Sequence, residues 1–158
     1  MKTNFVICRG HNMETRNAVD IMLSRIGLLS FNEYEKLKKN IKPVGFYWWL
    51  SSSYESGCAS YVDFSGEAIK EGFYTDAGTI AVRPALIVSD SNSRAQLAVG
   101  DTLLRDWVTW TYIGDGYLLH DSCLAKMPFS CNQAFDDYGH SDIKKYLDNW
   151  YEDNVING

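Results

Sequence analysis

Apolar positions along this chain come in short runs divided by polar turn residues, a spacing that predicts strands more than long helices. Ile21–Leu29 is apolar enough for a strand. Ser30 and Glu33 follow at the spacing of a capping box, which predicts a short helix through about Asn40. Pro43 blocks its continuation, and Phe46–Leu50 (Phe-Tyr-Trp-Trp-Leu) is strongly β-prone. Ala59–Phe64 and Ala68–Tyr74 then read as paired strands of a meander around the turn Phe64-Ser65-Gly66-Glu67, with Thr75-Asp76-Ala77-Gly78 as a second turn. Ile80–Val88 is a further strand interrupted by Arg83-Pro84. Because Pro84 cannot donate to a ladder, the pattern places that strand at a sheet edge or a bulge.

The polar run Ser89–Ser93 is the softest joint in the pattern. Beyond it, Leu103–Ile113 and Tyr117–Leu119 predict a hairpin around Gly114-Asp115-Gly116. Ser141 caps a final helix in which Ile143, Leu147 and Trp150 or Tyr151 share one face. The sum is an α+β fold, a single domain over residues 1–158, built as a short antiparallel meander with two helices. Residues 98–158, about 60 in all, are too few for an independent core, so Trp107–Ile113 is expected to pair with the meander.

Composition narrows the function classes. The 158 residues carry a formal charge of −5, with 46% hydrophobic and 22% charged residues, as in an ordinary folded protein. No apolar run has the length of a bilayer span, and Met1–Gly10 lacks a signal-peptide core, so a membrane role and classical export are not expected. The negative balance argues against direct nucleic-acid binding, which depends on neutralising phosphates. Cys8, Cys58, Cys123 and Cys131 fit free thiols better than a disulfide framework. Cys8-x-x-His11 and His120-x-x-Cys123 have donors that could meet at one zinc ion; the alternative is that the thiols are small buried hydrophobes and the histidines stand on loops. The expected reading has no metal and no cofactor.

Catalytic patterns are weak. His120-Asp121-Ser122 has the letters of a hydrolase triad, but sequence neighbours point in different directions and cannot form its relay. Asp136-Asp137, beside Tyr138-Gly139, reads as a solvated turn. Gly114-x-Gly116 lacks the third glycine of a dinucleotide site. The expectation is a protein that is not an enzyme.

Two motifs carry a resemblance. Trp48-Trp49-Leu50-Ser51-Ser52, with Ala59-Ser60-Tyr61-Val62 and Gly66, and then Ala81-Val82-Arg83-Pro84-Ala85-Leu86, resemble a bacterial and prophage family of uncharacterised domains with Trp-Trp-Leu-Arg-Ser and Gly-Val-Arg-Pro-Ala-Leu motifs. Ser51 replaces the Arg of the first motif, and Ala81 the Gly of the second. That family looks related to the C-type-lectin-like fold of formylglycine-generating enzymes, so the resemblance implies such a fold here. In longer members a segment like Trp107–Trp150 precedes the Trp-Trp motif, whereas here it comes last, which implies either a permuted order, the reading favoured here, or an accessory subdomain over Ala98–Gly158. Formylglycine-generating enzymes need a closely spaced cysteine pair late in the fold, which Cys123 and Cys131 do not supply. The calcium-binding triplets of sugar-binding lectins are absent as well. In this frame Trp48, Trp49, Arg83 and Pro84 are scaffold residues: Arg83 as a buried guanidinium bonded to loop carbonyls, and Trp48 and Trp49 on opposite strand faces with at most one in the core.

The meander between the motifs interleaves Tyr and Phe with Ser, Gly and Asp, the composition of an adaptable recognition surface, although turn residues and β-formers alone also make such a meander. The candidate contact residues are Tyr54, Tyr61, Phe64, Phe73 and Tyr74. The expected function is a non-catalytic, phage- or prophage-encoded binding module with a protein or glycan partner, acting in the host cytoplasm or on a virion. The alternative is an intracellular effector of the anti-CRISPR kind that inhibits a host defence complex, its acidic surface competing for a basic groove.

Overall fold

A computed structural model describes residues 2–9, 16–55, 57–131 and 137–158. His11, Ser56 and Asp136 lie outside the described residues. In chain order the elements are β1 (Lys2–Cys8), β2 (Arg16–Gly27), α1 (Phe31–Leu37) with a 3-10 turn at Lys38–Asn40, β3 (Trp48–Ser53), β4 (Cys58–Val62) and β5 (Ala68–Tyr74). Then come β6 (Ala81–Val82), β7 (Ala85–Val88), α2 (Ser91–Ala95), β8 (Thr102–Arg105), β9 (Val108–Gly114), β10 (Tyr117–His120), β11 (Ala125–Lys126) and α3 (Asp142–Tyr151), which runs on into a π-helical turn at Glu152–Ile156.

The fold is α+β and mostly antiparallel, with three α-helices rather than two among the described residues. Its main body is a closed barrel in the order β1-β2-β7-β10-β9-β8. β1, which the sequence pattern left without an element, alternates Thr3, Phe5 and Ile7 inward against exposed Lys2 and Asn4. It closes the barrel by pairing with both β2 and β8. Ile7, Leu103, Trp110 and His120 pair in turn across β1, β8, β9 and β10, forming one row on one face of the strands. The neighbouring row Thr102, Thr111, Leu119 and Ala85 points the other way.

A five-stranded sheet, β11-β6-β3-β4-β5, packs beside the barrel. Trp48 and Trp49 stand on opposite faces of β3, and both are fully buried. Trp49 joins the cluster that holds Phe5, Trp110, Phe129, Ile143 and Leu147, and donates its indole N–H to the Met127 carbonyl at 2.9 Å. Trp48 joins a second cluster with Leu29, Tyr34, Leu37, Ile113 and Leu119. The expectation of one core tryptophan is therefore corrected: the sheet is covered on both sides here, and each ring fills its own core. Trp107–Ile113 is also corrected, since β9 pairs with β8 and β10 in the barrel and not with the meander.

The Arg83-Pro84 break does more than interrupt a strand. β6 belongs to the sheet and β7 to the barrel, so the pair marks where the chain crosses between them. Neither piece is an edge strand, which corrects the edge alternative of that expectation: β6 lies between β11 and β3, and β7 between β2 and β10. Pro84 lacks an N–H, but its carbonyl accepts from the His120 N–H at 2.9 Å. The polar run Ser89–Ser93 is no slack joint either. Asp90 caps α2 by accepting from the Ser93 N–H, and the buried Ser93 hydroxyl accepts from the Met22 N–H at 2.9 Å. Capping at α1 and α3 follows the sequence pattern: Ser30 and Glu33 form a complete capping box, and Ser141 accepts from the Lys144 N–H.

Two measurements test this core. Arg83 is only 4% exposed; its Nε–H donates to the His120 carbonyl at 2.7 Å, and its guanidinium lies 5.0 Å from the Trp48 ring centre. Arg83→Ala is expected to destabilise the fold by about 2–4 kcal/mol in urea denaturation, because a buried carbonyl loses its donor and Trp48 its cation. The buried His120 gives a pH dependence. Burial, with the Arg83 charge adding to it, lowers the imidazole pKa from 6.5 to about 4. The Ser122 N–H donates to Nδ1 at 2.9 Å, which fixes the neutral ring with its proton on Nε2. Between pH 6.5 and about 4 the unfolded chain takes up a proton that the folded chain refuses, so stability is complete above this window and falls as pH is lowered through it. Melting curves across that window are expected to show a loss of up to about 3 kcal/mol, and His120→Asn is expected to flatten the slope.

Candidate functional site

The outer part of the meander carries a continuous set of aromatic rings. Phe64 and Tyr47 lie 5.6 Å apart between ring centres, Tyr47 and Tyr61 5.5 Å, Tyr61 and Phe73 5.9 Å, and Phe73 and Tyr74 6.3 Å. The chain of contacts thus runs without a break from Phe64 in the β4–β5 turn, through Tyr47 just before β3 and Tyr61 in β4, to Phe73 and Tyr74 in β5. Four of these rings are exposed, Phe64 at 61% and Tyr74 at 66%, while Tyr61 is half-buried against the core. Four of the five residues expected from the sequence are thereby brought together: Tyr61, Phe64, Phe73 and Tyr74. Tyr54 is exposed just after β3 and takes no part in these ring contacts. Tyr47, which the sequence reading did not single out, is the link between Phe64 and Tyr61. Its signal was the strand alternation that places it two residues before Trp49.

Local hydrogen bonds hold these rings in place. Asp63 accepts from the N–H groups of Ser65 and Glu67 and from the Ser65 hydroxyl, and these bonds keep its carboxyl below the usual pKa range. Gly66, at φ +93°, lets the turn close, and the Tyr34 hydroxyl donates to its carbonyl. Phe64 is therefore presented on a fixed turn. At the other end, the pairing of β4 with β5 shifts register between Ala59 and Tyr61, where Gly72 adopts φ +79°. This bulge turns both Phe73 and Tyr74 to solvent, which strict alternation would not allow. Within residues 47–76, which carry the rings, Glu55, Glu67, Glu71 and Asp76 are exposed, against one exposed cation, Lys70, whose Nζ lies 5.8 Å from the Phe31 ring centre. The rim is acidic.

The other sequence candidates are scattered. His120 faces inward with its ring 5.1 Å from Trp110, while the next residue, Asp121, accepts from the Thr111 hydroxyl on the outer side, so the two point apart. Cys8 is buried in β1 and Cys123 packs against the second core cluster. Among the described residues no group of three His, Cys, Asp or Glu side chains is arranged to hold a metal. Asp137 pairs with His140 at 2.8 Å, both exposed. No helix among the described residues is long and apolar enough to cross a membrane. One more exposed ring, Trp107 at 98%, stands on the β8–β9 turn with Asp106, both at positive φ.

Comparison with known proteins finds no matching family model, no matching curated protein and no matching solved structure.

The bulge glycine offers a direct test of how the ring surface is built. A Cβ on Gly72 would lie 2.3 Å from the Ala59 carbonyl oxygen, and the φ itself disfavours side chains. Gly72→Ala is expected to cost about 2 kcal/mol or more in urea denaturation and to move the resonances of Phe73 and Tyr74 in NMR spectra.

Proposed function

We propose that this protein is a non-catalytic binding module whose aromatic face, Phe64, Tyr47, Tyr61, Phe73 and Tyr74, docks on a protein partner with a basic rim around an apolar contact. The observation that carries this reading is the unbroken chain of five rings, four of them exposed, with Phe64 on a turn fixed by its own hydrogen bonds. Exposed aromatic patches of this kind are costly to leave in water and are typical of contact surfaces. Fixed turns lower the entropy lost on binding.

Ring geometry favours a protein over a glycan. Sugar rings stack best on aromatic faces that lie side by side in one plane. Here three of the four neighbouring pairs cross at 74°, 85° and 77°, and the fourth, Tyr47 with Phe64, is tilted by 39°, a relief suited to interlocking side chains. The acidic rim adds electrostatic complementarity to a basic surface and suppresses acidic partners. The phage or prophage origin and the relation to C-type-lectin-like domains are part of the same reading. They rest on the motifs Trp48-Trp49-Leu50 and Val82-Arg83-Pro84-Ala85-Leu86.

Single Ala variants of the five rings separate contact from core. Partner capture from a bacterial lysate is expected to fall at least about 30-fold for Phe64→Ala or Tyr74→Ala, with the melting temperature nearly unchanged. Tyr61→Ala is expected to lower both. Raised salt is expected to weaken capture by the unmodified protein. Capture that tracks stability across all five variants, or recognition of a glycan array in place of any protein, would overturn the reading.

A further inference from the structure

The aromatic face is one surface of the molecule; a second feature lies on the barrel wall. The outward row Thr102, Thr111 and Leu119 is roofed by the segment 40–44, which the Asn40 side chain pins to β9 by donating to the Ile113 carbonyl at 3.0 Å. Between them is a cavity of about 440 Å³, within the range of small-molecule sites. Arg83, Lys42 and Asp121 all reach its lining, beside Ile41, Val44 and Leu119.

Arg83 is the unusual member. A buried guanidinium is costly unless its donors are met, and buried donors nearly always are. Its Nε is satisfied by the His120 carbonyl and one face of the group by Trp48, but Nη1 is buried with no hydrogen-bond partner among the described residues. The nearest anion does not serve. Asp121 feels the Arg83 charge without forming an ion pair with it, and accepts instead from the Thr111 hydroxyl. Lys42, exposed at the roof, adds a second positive charge at the same cavity. The lining therefore offers two cations, one carboxylate already engaged at the side, and an apolar wall.

We propose that this cavity binds a small monocarboxylate, its carboxylate meeting Arg83 and Lys42 and its apolar body lying against Ile41, Val44 and Leu119. A planar carboxylate suits a guanidinium, which presents its donors in one plane. The single charge follows from the lining: Arg83 and Lys42 against Asp121 leave one net positive charge, and Asp121 repels a second anionic group on the ligand. The inference is independent of the partner surface proposed above.

Isothermal titration of the intact protein with isovalerate, with the neutral isostere isovaleramide and with the dianion glutarate tests it. The expected result is saturable binding of isovalerate at millimolar concentration or below, and no binding of the amide. Glutarate is expected to bind about tenfold more weakly than isovalerate, and Asp121→Asn to remove that difference. Lys42→Ala is expected to weaken isovalerate about tenfold with no change in melting temperature. Arg83→Met is the direct variant but unsettles the core, so Lys42→Ala and Asp121→Asn carry the test. Equal binding of acid and amide would overturn the proposal, as would isovalerate binding untouched by both variants. Absence of any saturable binding to the folded protein would also overturn it.

Discussion

The reciprocal contact between Arg83-Pro84 and His120 is the constraint on which the rest of the fold depends. The His120 N–H donates to the Pro84 carbonyl, and the Arg83 Nε–H donates to the His120 carbonyl, so the crossing from sheet to barrel is tied on both sides to β10. The tie extends along the chain, since Leu124 donates to Val82 and Met127 to Ile80. It also explains why a proline is tolerated there: the residue sits between two ladders, where no N–H is required of it. A buried charge at this crossing is stable only because a carbonyl and an indole face meet it, and that same arrangement leaves Nη1 buried without a hydrogen-bond partner among the described residues.

Burial of both Trp48 and Trp49 follows from the crossing. A strand in a one-sided sheet exposes every second residue, but β3 has the barrel wall and α1 on one side and the Phe129–α3 packing on the other. Tyr34 meets Trp48 edge-on at 5.4 Å, and Phe129 meets Trp49 at 5.6 Å. The exposed rings of the meander begin only where that cover ends. The site surface and the core are thus one aromatic layer that passes from dry to wet along the sheet.

Local signals were the legible part. The caps of α1 and α3, the β4–β5 turn, the span of β5 and the β9–β10 hairpin all follow from residues within a few positions of one another. Four rings of the aromatic face were legible for the same reason, as aromatics beside turn residues. Closure of the barrel was not, because β1 finds β8 through pairing that no local pattern records. The β8–β9 turn was hidden too: Asp106-Trp107 takes two positive φ values without the glycine that usually announces them. The cavity was invisible in principle, for Lys42, Arg83 and Asp121 lie on three distant segments and meet only once the barrel has closed.

That closure has a kinetic side. β1 pairs with β2 by a local return of the chain, yet Val6 also pairs with Leu104. Bringing such distant strands together costs loop entropy that no earlier contact on the open edge repays, whereas the β3–β4–β5 meander can form from neighbours alone. During synthesis the meander, with its aromatic face, is therefore complete while the outer edge of β1 still waits for β8. Lys2, projecting from that edge strand, supplies the charge that discourages another chain from pairing there first.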